Sequence, residues 1–531
     1  MLTMGSALDR CARLHGTNPA IIDRERRFTW AEHIDRVSRA AGILLQLGLV
    51  PGERFGILSR NTFRHCELLH AGYWSGIVPV PVNTRLAPAE IAQILLDAQV
   101  RILVLDEVFV GLLDDPVLAH LRSQAFTLGP LPAMTGLPHY ETLLASARAA
   151  PLHDSREDDD AILLYTGGTT GRGKGVRLSH LNAVSNGLQM TAACGLRSDD
   201  VYLHVAPMFH SADLLGTGVT LQGGAHAFLA QFSPQALLEA MQDLAATWTM
   251  LAPTMIILTL QQAQPADYDL RRLRTVLYGS APMAPEWTRR TIEALPQVSI
   301  VQGYGLTETS PILTVLGDAE HRAAMVDGDL TLLRGAGRPL VGIDLRICDE
   351  DGREVPVGEP GEVCVRGPNV TGGYLGQPEA NALAFCNGWF HTGDLGRVDE
   401  NGYLFLLDRK KDMIITGGEN VYSSEVEQAL YQYPGVSECA VVGVPDPTYG
   451  EALVAVIVPA PGHELSTAVL VAHCRGLIGG YKIPRRMEFV PQLPKSAMGK
   501  ILKTELRRIH AVAPDDERPD APRPGQPGVA A

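Results

Sequence analysis

The chain has 531 residues, a formal net charge of −14 and a hydrophobic share of 46 %. That length exceeds one ordinary domain, so a large domain and at least one smaller one are expected. The acidic balance argues against nucleic acid as a main partner, although a nucleotide needs only a local cationic pocket.

Eight cysteines are scattered singly, with no C-x-x-C pair. Zinc and dithiol sites are therefore not expected, and reduced thiols in a cytoplasmic protein are. The opening "MLTMGSALDRCARLHG" puts Asp9, Arg10 and Arg13 where a signal peptide needs an apolar run. No apolar segment is long enough to span a bilayer, which leaves peripheral membrane contact open. Oligomeric state is not legible.

The first half alternates helix-like and strand-like segments. "TWAEHIDRVSRAAGILLQLGL" has apolar residues at helical spacing, with Thr29 as its cap. "RFGILSRN" and "RILVLDEV" read as short buried strands, and "AEIAQILLDAQ" as a helix between them. This is α/β patterning with a largely parallel sheet. "SREDDD" reads as a solvated connector before the strand "AILLY".

Near residue 400 the texture changes. "DENGYLFLLDRKKDMIITGGENVYSSEVEQALYQYPGV" gives a turn at Asn401-Gly402, strands, a charged step and a helix from Ser423 or Ser424. "VSECAVVGVPD" and "EALVAVIVPA" add strands, completing a compact α+β unit. The expected division is a large domain over 1–410, a small mobile one over 411–510 joined by a hinge, and a disordered Pro- and Ala-rich tail over 511–531.

Several stretches carry candidate chemistry. "YTGGTTGRGKGVRLSH" (165–180) nearly matches a Walker A loop, but Gly175 stands where Ser or Thr would hold magnesium. The strand-like "VRL" follows, and a helix starts only near Ser179, so the helix N-terminus that cradles phosphate in a Walker A loop is missing. Alone, such a run is most often a surface turn. Its threonines, lysine and free amides suit a mobile polyphosphate clasp. In "VQGYGLTETSP", a strand ends in Gly-Tyr-Gly, offering backbone access and an aromatic face for a flat base. Glu308 there suits a hard cation such as Mg²⁺, although a Thr-Glu pair more often caps a helix. "LYGSAPM" ends a strand in small residues, and "WFHTGDLG" puts Asp394 on a turn. "DRKKDMIITGGEN" is a charged face or a hinge, and "LPKSAMGKILK" puts Lys500 after a flexible stretch.

Together and in this order, these stretches resemble the adenylate-forming superfamily: acyl- and aryl-CoA synthetases, luciferases and peptide-synthetase adenylation domains. The resemblance covers nearly the whole chain. It implies that Thr166, Gly168, Thr169, Thr170 and Lys174 hold the β- and γ-phosphates of ATP, with Gly173 replacing the family's usual proline. It implies that Tyr304 stacks on adenine beside Gln302 and Gly303, with Gly279, Ser280 and Ala281 on the other face of the base. Thr307 would contact the α-phosphate, Glu308 would bind Mg²⁺, Asp394 the ribose, and Arg409 ribose or phosphate. Lys411 sits at the hinge position, Lys500 at that of the catalytic lysine, and Gly417, Gly418 and Glu419 near the CoA channel. His210 would gate an acid pocket formed with Ser211, Leu214, Met250, Pro253, Thr254 and Tyr278.

The implied reaction uses ATP, Mg²⁺ and coenzyme A. A carboxylate attacks the α-phosphate to give acyl-AMP and pyrophosphate, and CoA then displaces AMP. The pocket stretches "MLAPTMII" and "LYGSAPM" are apolar and without a cation, which suits a hydrophobic monocarboxylate. A medium- or long-chain fatty acid is expected, since methionine adapts to flexible chains. An aryl or cinnamate-like acid, a carrier-protein acceptor, a luciferase-like oxygenase and a non-catalytic nucleotide-binding scaffold are the alternatives.

Overall fold

The computed structural model describes residues 1–24, 26–129, 136–166, 173–328, 330–410, 412–416, 419–446, 448–495 and 501–511. The chain divides into two compact units, Met1–Leu406 and Leu407–Ala531.

In the first unit, six parallel strands form the middle of a nine-stranded sheet. Their spatial order is Ser299–Tyr304, Thr275–Gly279, Trp248–Leu251, Val201–His204, Ala225–Phe228 and Pro19–Ile22. Antiparallel strands complete both edges. The central strands are buried along their whole length, as "VYLH", "WTML" and "TVLYG" require when helices cover both faces. A second, wholly parallel sheet orders Val78–Pro81, Arg54–Leu58, Ile102–Leu105 and Ala125–Thr127. The expected strands "RFGIL" and "ILVL" are its central pair. A third sheet contains the antiparallel strands Asp344–Cys348, Gly361–Arg366 and Trp389–Val398.

Local chemistry sets the helix starts. Thr29 caps Trp30–Gln46, and Glu32 returns a bond to its backbone, closing a capping box. Ser179 and Asn182 do the same for His180–Cys194, so the helix after the glycine loop begins where the sequence puts it. Asp160, read as connector, opens the strand Asp160–Thr166 instead, because Arg177 across the hairpin holds its carboxylate at 3.0 Å.

The second unit is built on Ile414–Thr416, Glu419–Val421, Val436–Asp446 and Gly450–Pro459, antiparallel throughout, with Arg486–Phe489 added in parallel. Its helix Ser423–Tyr431 starts at the expected residue. Among the described residues, no helix is long and apolar enough to cross a membrane.

Candidate active site

The glycine loop leaves one strand and enters another. Asp160–Thr166 pairs antiparallel with Lys174–Ser179, and Thr166 stands opposite Lys174. Gly168, Thr169 and Thr170 lie outside the described residues. The hairpin gives a physical reason for Gly175. A Cβ there would lie 3.1 Å from the Tyr165 ring, and the Tyr165 hydroxyl donates to Asp97 at 2.5 Å. A serine or threonine, as in a Walker A loop, would have to push that ring aside by a few tenths of an ångström.

Lys174 holds its ammonium 4.6 Å from the centre of the Tyr374 ring. The Tyr374 hydroxyl donates to Glu308 Oε1 at 2.9 Å. Burial, then the Glu308 charge, pushes the Tyr374 pKa up, so the phenol stays a donor. Lys174 and Glu308, far apart in sequence, are thus joined through a tyrosine that sequence reasoning missed. "TGGYLG" carries no signal for it beyond its glycines.

Two glycines allow the strands carrying the nucleotide motifs to close. Gly279 and Gly303 stand side by side, and a Cβ on Gly279 would lie 2.4 Å from the Gly303 carbonyl oxygen. Gly303 itself packs on Ile312, where a Cβ would lie only 2.9 Å from Cδ1. Ser280, just past the strand, is exposed with φ at +68°, a conformation that costs a non-glycine residue energy and concentrates at functional sites. Ala281 is exposed beside it. The Gln302 side-chain amide lies 3.4 Å from the Tyr278 hydroxyl.

Asp394 sits on a bulge. Cys364 pairs with His391 and Glu362 with Leu395, so Val363 alone opposes Thr392, Gly393 and Asp394. Gly393 supplies the left-handed turn, with φ at +72°. The loose backbone is satisfied locally: Gly393 N–H donates to Glu362 at 3.1 Å, and Asp394 N–H to Thr392 Oγ1 at 3.1 Å. The Asp394 carboxylate accepts the Tyr304 hydroxyl at 2.7 Å. The residues expected at the ribose and at adenine are therefore in direct contact.

Thr307 opens the short turn Thr307–Thr309, and its hydroxyl lies 3.0 Å from Ser211 Oγ. His210 caps the turn Ser211–Leu215, with Nδ1 accepting from Ala212 N–H at 3.3 Å. The remaining expected acid-pocket residues divide. Met250 packs in a buried apolar cluster with Ala212, Leu215, Leu277 and Ile312. Tyr278, its neighbour Leu277 pointing the other way, packs in the cluster of Ile256 and Met283 and donates to His321 Nε2 at 2.9 Å. Leu214 belongs to a third cluster. Pro253 is the first residue of the helix Pro253–Gln262, and Thr254 is half-buried on it.

Below the turn lies a set of polar groups that no motif announced. His204 Nδ1 meets Asp213 Oδ1, His204 Nε2 meets His226 Nδ1 at 2.9 Å, and His226 Nε2 meets Thr220 Oγ1 at 3.0 Å. Nearby, His33 Nε2 and His70 Nδ1 are 2.8 Å apart, with Cys66 beside them. Cys66 Sγ lies 4.0 Å from one His70 nitrogen and 3.8 Å from the other. That trio packs as hydrogen-bonded neutral rings, and burial holds the His70 pKa down to about 3.

In the second unit Arg409 is exposed, its N–H donating to Asp408 Oδ1 at 2.8 Å, and Glu419 is exposed on its strand. Asp408 Oδ2 also accepts from the Ser423 backbone at 2.6 Å. Lys503 Nζ binds Glu427 at 2.8 Å, a pair absent from sequence reasoning. Lys411, Gly417, Gly418 and Lys500 lie outside the described residues.

Comparison with known proteins agrees with this layout. The AMP-binding enzyme family matches residues 8–375, and the AMP-binding enzyme C-terminal domain matches 425–500. A feruloyl-CoA synthase of Amycolatopsis is 38 % identical over 509 residues, covering 95 % of this chain and 98 % of its own. The long-chain-fatty-acid–CoA ligase FadD13 of Mycobacterium tuberculosis is 35 % identical over 494 residues, covering 91 % and 93 %. The ATP-bound crystal structure of MatB from Rhodopseudomonas palustris is 32 % identical with a TM-score of 0.86, over 96 % of this chain and 99 % of that one. The chain belongs to the AMP-binding enzymes of the adenylate-forming superfamily and is an AMP-forming acid–thiol ligase.

Proposed function

We propose that this ligase activates a hydrophobic monocarboxylate, an arylpropenoate of the feruloyl type ahead of a fatty acid, and transfers it to coenzyme A. One observation carries the reading. Ala212, the residue after Ser211, lies in one buried apolar cluster with Leu215, Met250, Leu277 and Ile312. An acid with a second charge or an ammonium would lose its hydration there without a partner. The relatives add the preference between the two classes: those named for feruloyl-CoA are 38 % identical, and the fatty-acid ligase FadD13 is 35 %. The flexible Met250 and Met255 favour the fatty acid as second reading.

In the first step the acid carboxylate attacks the α-phosphate, so two anions must be held together. Lys174 would bind the departing pyrophosphate and Thr307 an α-phosphate oxygen. Tyr304 would lie against adenine while Asp394 accepts the ribose hydroxyls. The Glu308 carboxylate, 8 % exposed and fixed on one oxygen by Tyr374, fits Mg²⁺, which takes one or two carboxylates beside substrate phosphates. Bound there, the ion would neutralise phosphate charge. Lys500 would stabilise the charge that builds at the α-phosphate. No side-chain nucleophile is required. In the second step the CoA thiolate attacks the acyl carbonyl, AMP leaves, and the small unit would swing about Lys411 to admit pantetheine past Glu419.

Two measurements test this. Steady-state kcat/KM across ferulate-like, benzoate-like and aliphatic acids should favour the arylpropenoates by at least about tenfold. A preference for C12–C16 chains would reverse the order of the two readings. Lys500→Ala should cut acid-dependent pyrophosphate exchange by about 10³-fold and spare thioester formation from supplied acyl-AMP. Equal loss in both half-reactions would remove Lys500 from the proposed role.

A further inference from the structure

The turn that carries His210 and Ser211 hangs from a buried polar chain. Asp213, His204, His226 and Thr220 are between 1 and 7 % exposed, and each touches the next. The carboxylate end fixes the first donor. Asp213 as a carboxylate accepts, so His204 donates from Nδ1. Between His204 Nε2 and His226 Nδ1 one ring nitrogen donates and the other accepts. His226 Nε2 shares a hydrogen bond with the Thr220 hydroxyl, which also reaches the Gly216 carbonyl at 3.3 Å. Burial, then the neighbouring imidazoles, holds the His226 pKa well down and keeps that ring neutral.

The rings in this chain are locked. His204 stacks on Phe228 with centroids 4.9 Å apart and meets Tyr202 edge-on at 4.5 Å. Gly216, where the turn becomes a helix, lies so close that a Cβ would be 3.1 Å from His204 Cε1 and 3.4 Å from His226 Cε1. At the other side of the turn, Asp213 N–H closes it by donating to the His210 carbonyl at 2.9 Å. Two residues before Asp213, Ser211 reaches Thr307 at 3.0 Å. The side chain of Asp213 is thus tied to the sheet while its backbone sets the turn that presents Ser211.

We propose that Asp213, His204 and His226 are positioning residues that fix the His210–Ser211 turn against Thr307, and so set the approach of the acid carboxylate to the α-phosphate. The inference rests on the reading of Thr307 as the α-phosphate contact. A buried carboxylate without its imidazole would turn toward solvent and take the turn with it. A misplacement of that size at a reacting pair costs rate far more than it costs nucleotide affinity.

The test uses the full-length enzyme and acid-dependent pyrophosphate exchange. Asp213→Asn keeps the shape but loses the charge, and His204→Leu removes both ring nitrogens. Each should lower the exchange kcat by about 10- to 100-fold and raise the acid KM, with the ATP KM within about twofold of the parent. His204→Asn, whose amide N–H stands where Nδ1–H was, should recover most of the loss. In a Ser211→Ala background Asp213→Asn should add little, since both act on one contact. Fully additive losses, or a lowered melting temperature with unchanged kinetics, would overturn the inference and leave the chain a purely structural feature. Should His204→Leu fail to fold, the isosteric Asp213→Asn and the His204→Asn comparison decide alone. Absence of any exchange by the parent enzyme would sink the ligase reading instead, so the two failures are distinguishable.

Discussion

The nucleotide end and the acid end of the proposed site are held by different physics. At the nucleotide end, glycines shape the backbone and short polar contacts hold the motif residues: Tyr304 to Asp394 at 2.7 Å, and Glu308 to Tyr374, which lies outside the motifs, at 2.9 Å. At the acid end, one turn is anchored by buried imidazoles drawn from two strands, Val201–His204 and Ala225–Phe228. The first end tolerates little change in its own residues. The second also depends on residues well below the surface. Substitutions should therefore separate ATP parameters from acid parameters according to which end they touch.

Asp394→Ala is the sharpest test of that separation. It removes the proposed ribose acceptor and the partner of the Tyr304 hydroxyl. The ATP KM should rise by about 100-fold, as expected when charged hydrogen bonds are lost. The acid KM should stay within about twofold. A comparable rise in both constants would mean that the two ends are one mechanical unit, and the comparison would fail.

What the sequence made legible follows the same line. Gly303-Tyr304-Gly305, Thr307 and Glu308 are read from a short window because their backbone geometry is local, a strand end and a turn. The capping residues Thr29 and Ser179 were legible for the same reason. Asp394, expected on a turn, sits on a bulge inside the strand Trp389–Val398, which only the pairing with Gly361–Arg366 reveals. Tyr374 and the chain from Asp213 to Thr220 were not legible. A buried tyrosine or histidine in an apolar stretch reads as core until the fold brings its partner near, here across 66 residues for Tyr374 and Glu308. The division of the acid-pocket residues was also illegible. Adjacent strand residues Leu277 and Tyr278 face opposite sides, so a contiguous stretch of sequence is not a contiguous lining.

Tyr374→Phe gives a smaller effect and refines the nucleotide end. The ring under Lys174 remains, and only the bond to Glu308 is lost. Pyrophosphate exchange should fall by about tenfold, and half-saturation should need more Mg²⁺, because one Glu308 oxygen loses its fixed donor. Tyr374→Leu removes the ring as well, and should cost about threefold more if the contact with the Lys174 ammonium matters. Identical rates for the two variants would leave the hydroxyl as the whole contribution of Tyr374.

The smallest effect concerns pH and belongs to the acid end. Burial holds the His65 pKa down to about 4 and that of His70 to about 3. In an unfolded chain both would titrate near 6.5. As pH falls below about 6.5, the unfolded state takes up protons that the folded state refuses, so stability falls with falling pH until the folded-state values are reached. Each histidine contributes a slope of about 1.4 kcal/mol per pH unit over that window. His65 Nε2 is buried without a hydrogen-bond partner, while Nδ1 faces Ser59 Oγ at 2.9 Å. Ser59 Oγ also has the Arg60 carbonyl at 3.2 Å. His65→Leu should therefore change urea stability little at pH 8, since the serine keeps a partner. Between pH 6.5 and 5 the variant should lose stability less steeply than the parent, by about one proton's worth of slope. Parallel slopes would mean that His65 is already protonated in the folded enzyme. The neutral-imidazole account of the acid end would then need a charge to balance it, with Asp213, the carboxylate whose field acts on His65, as the group to substitute next.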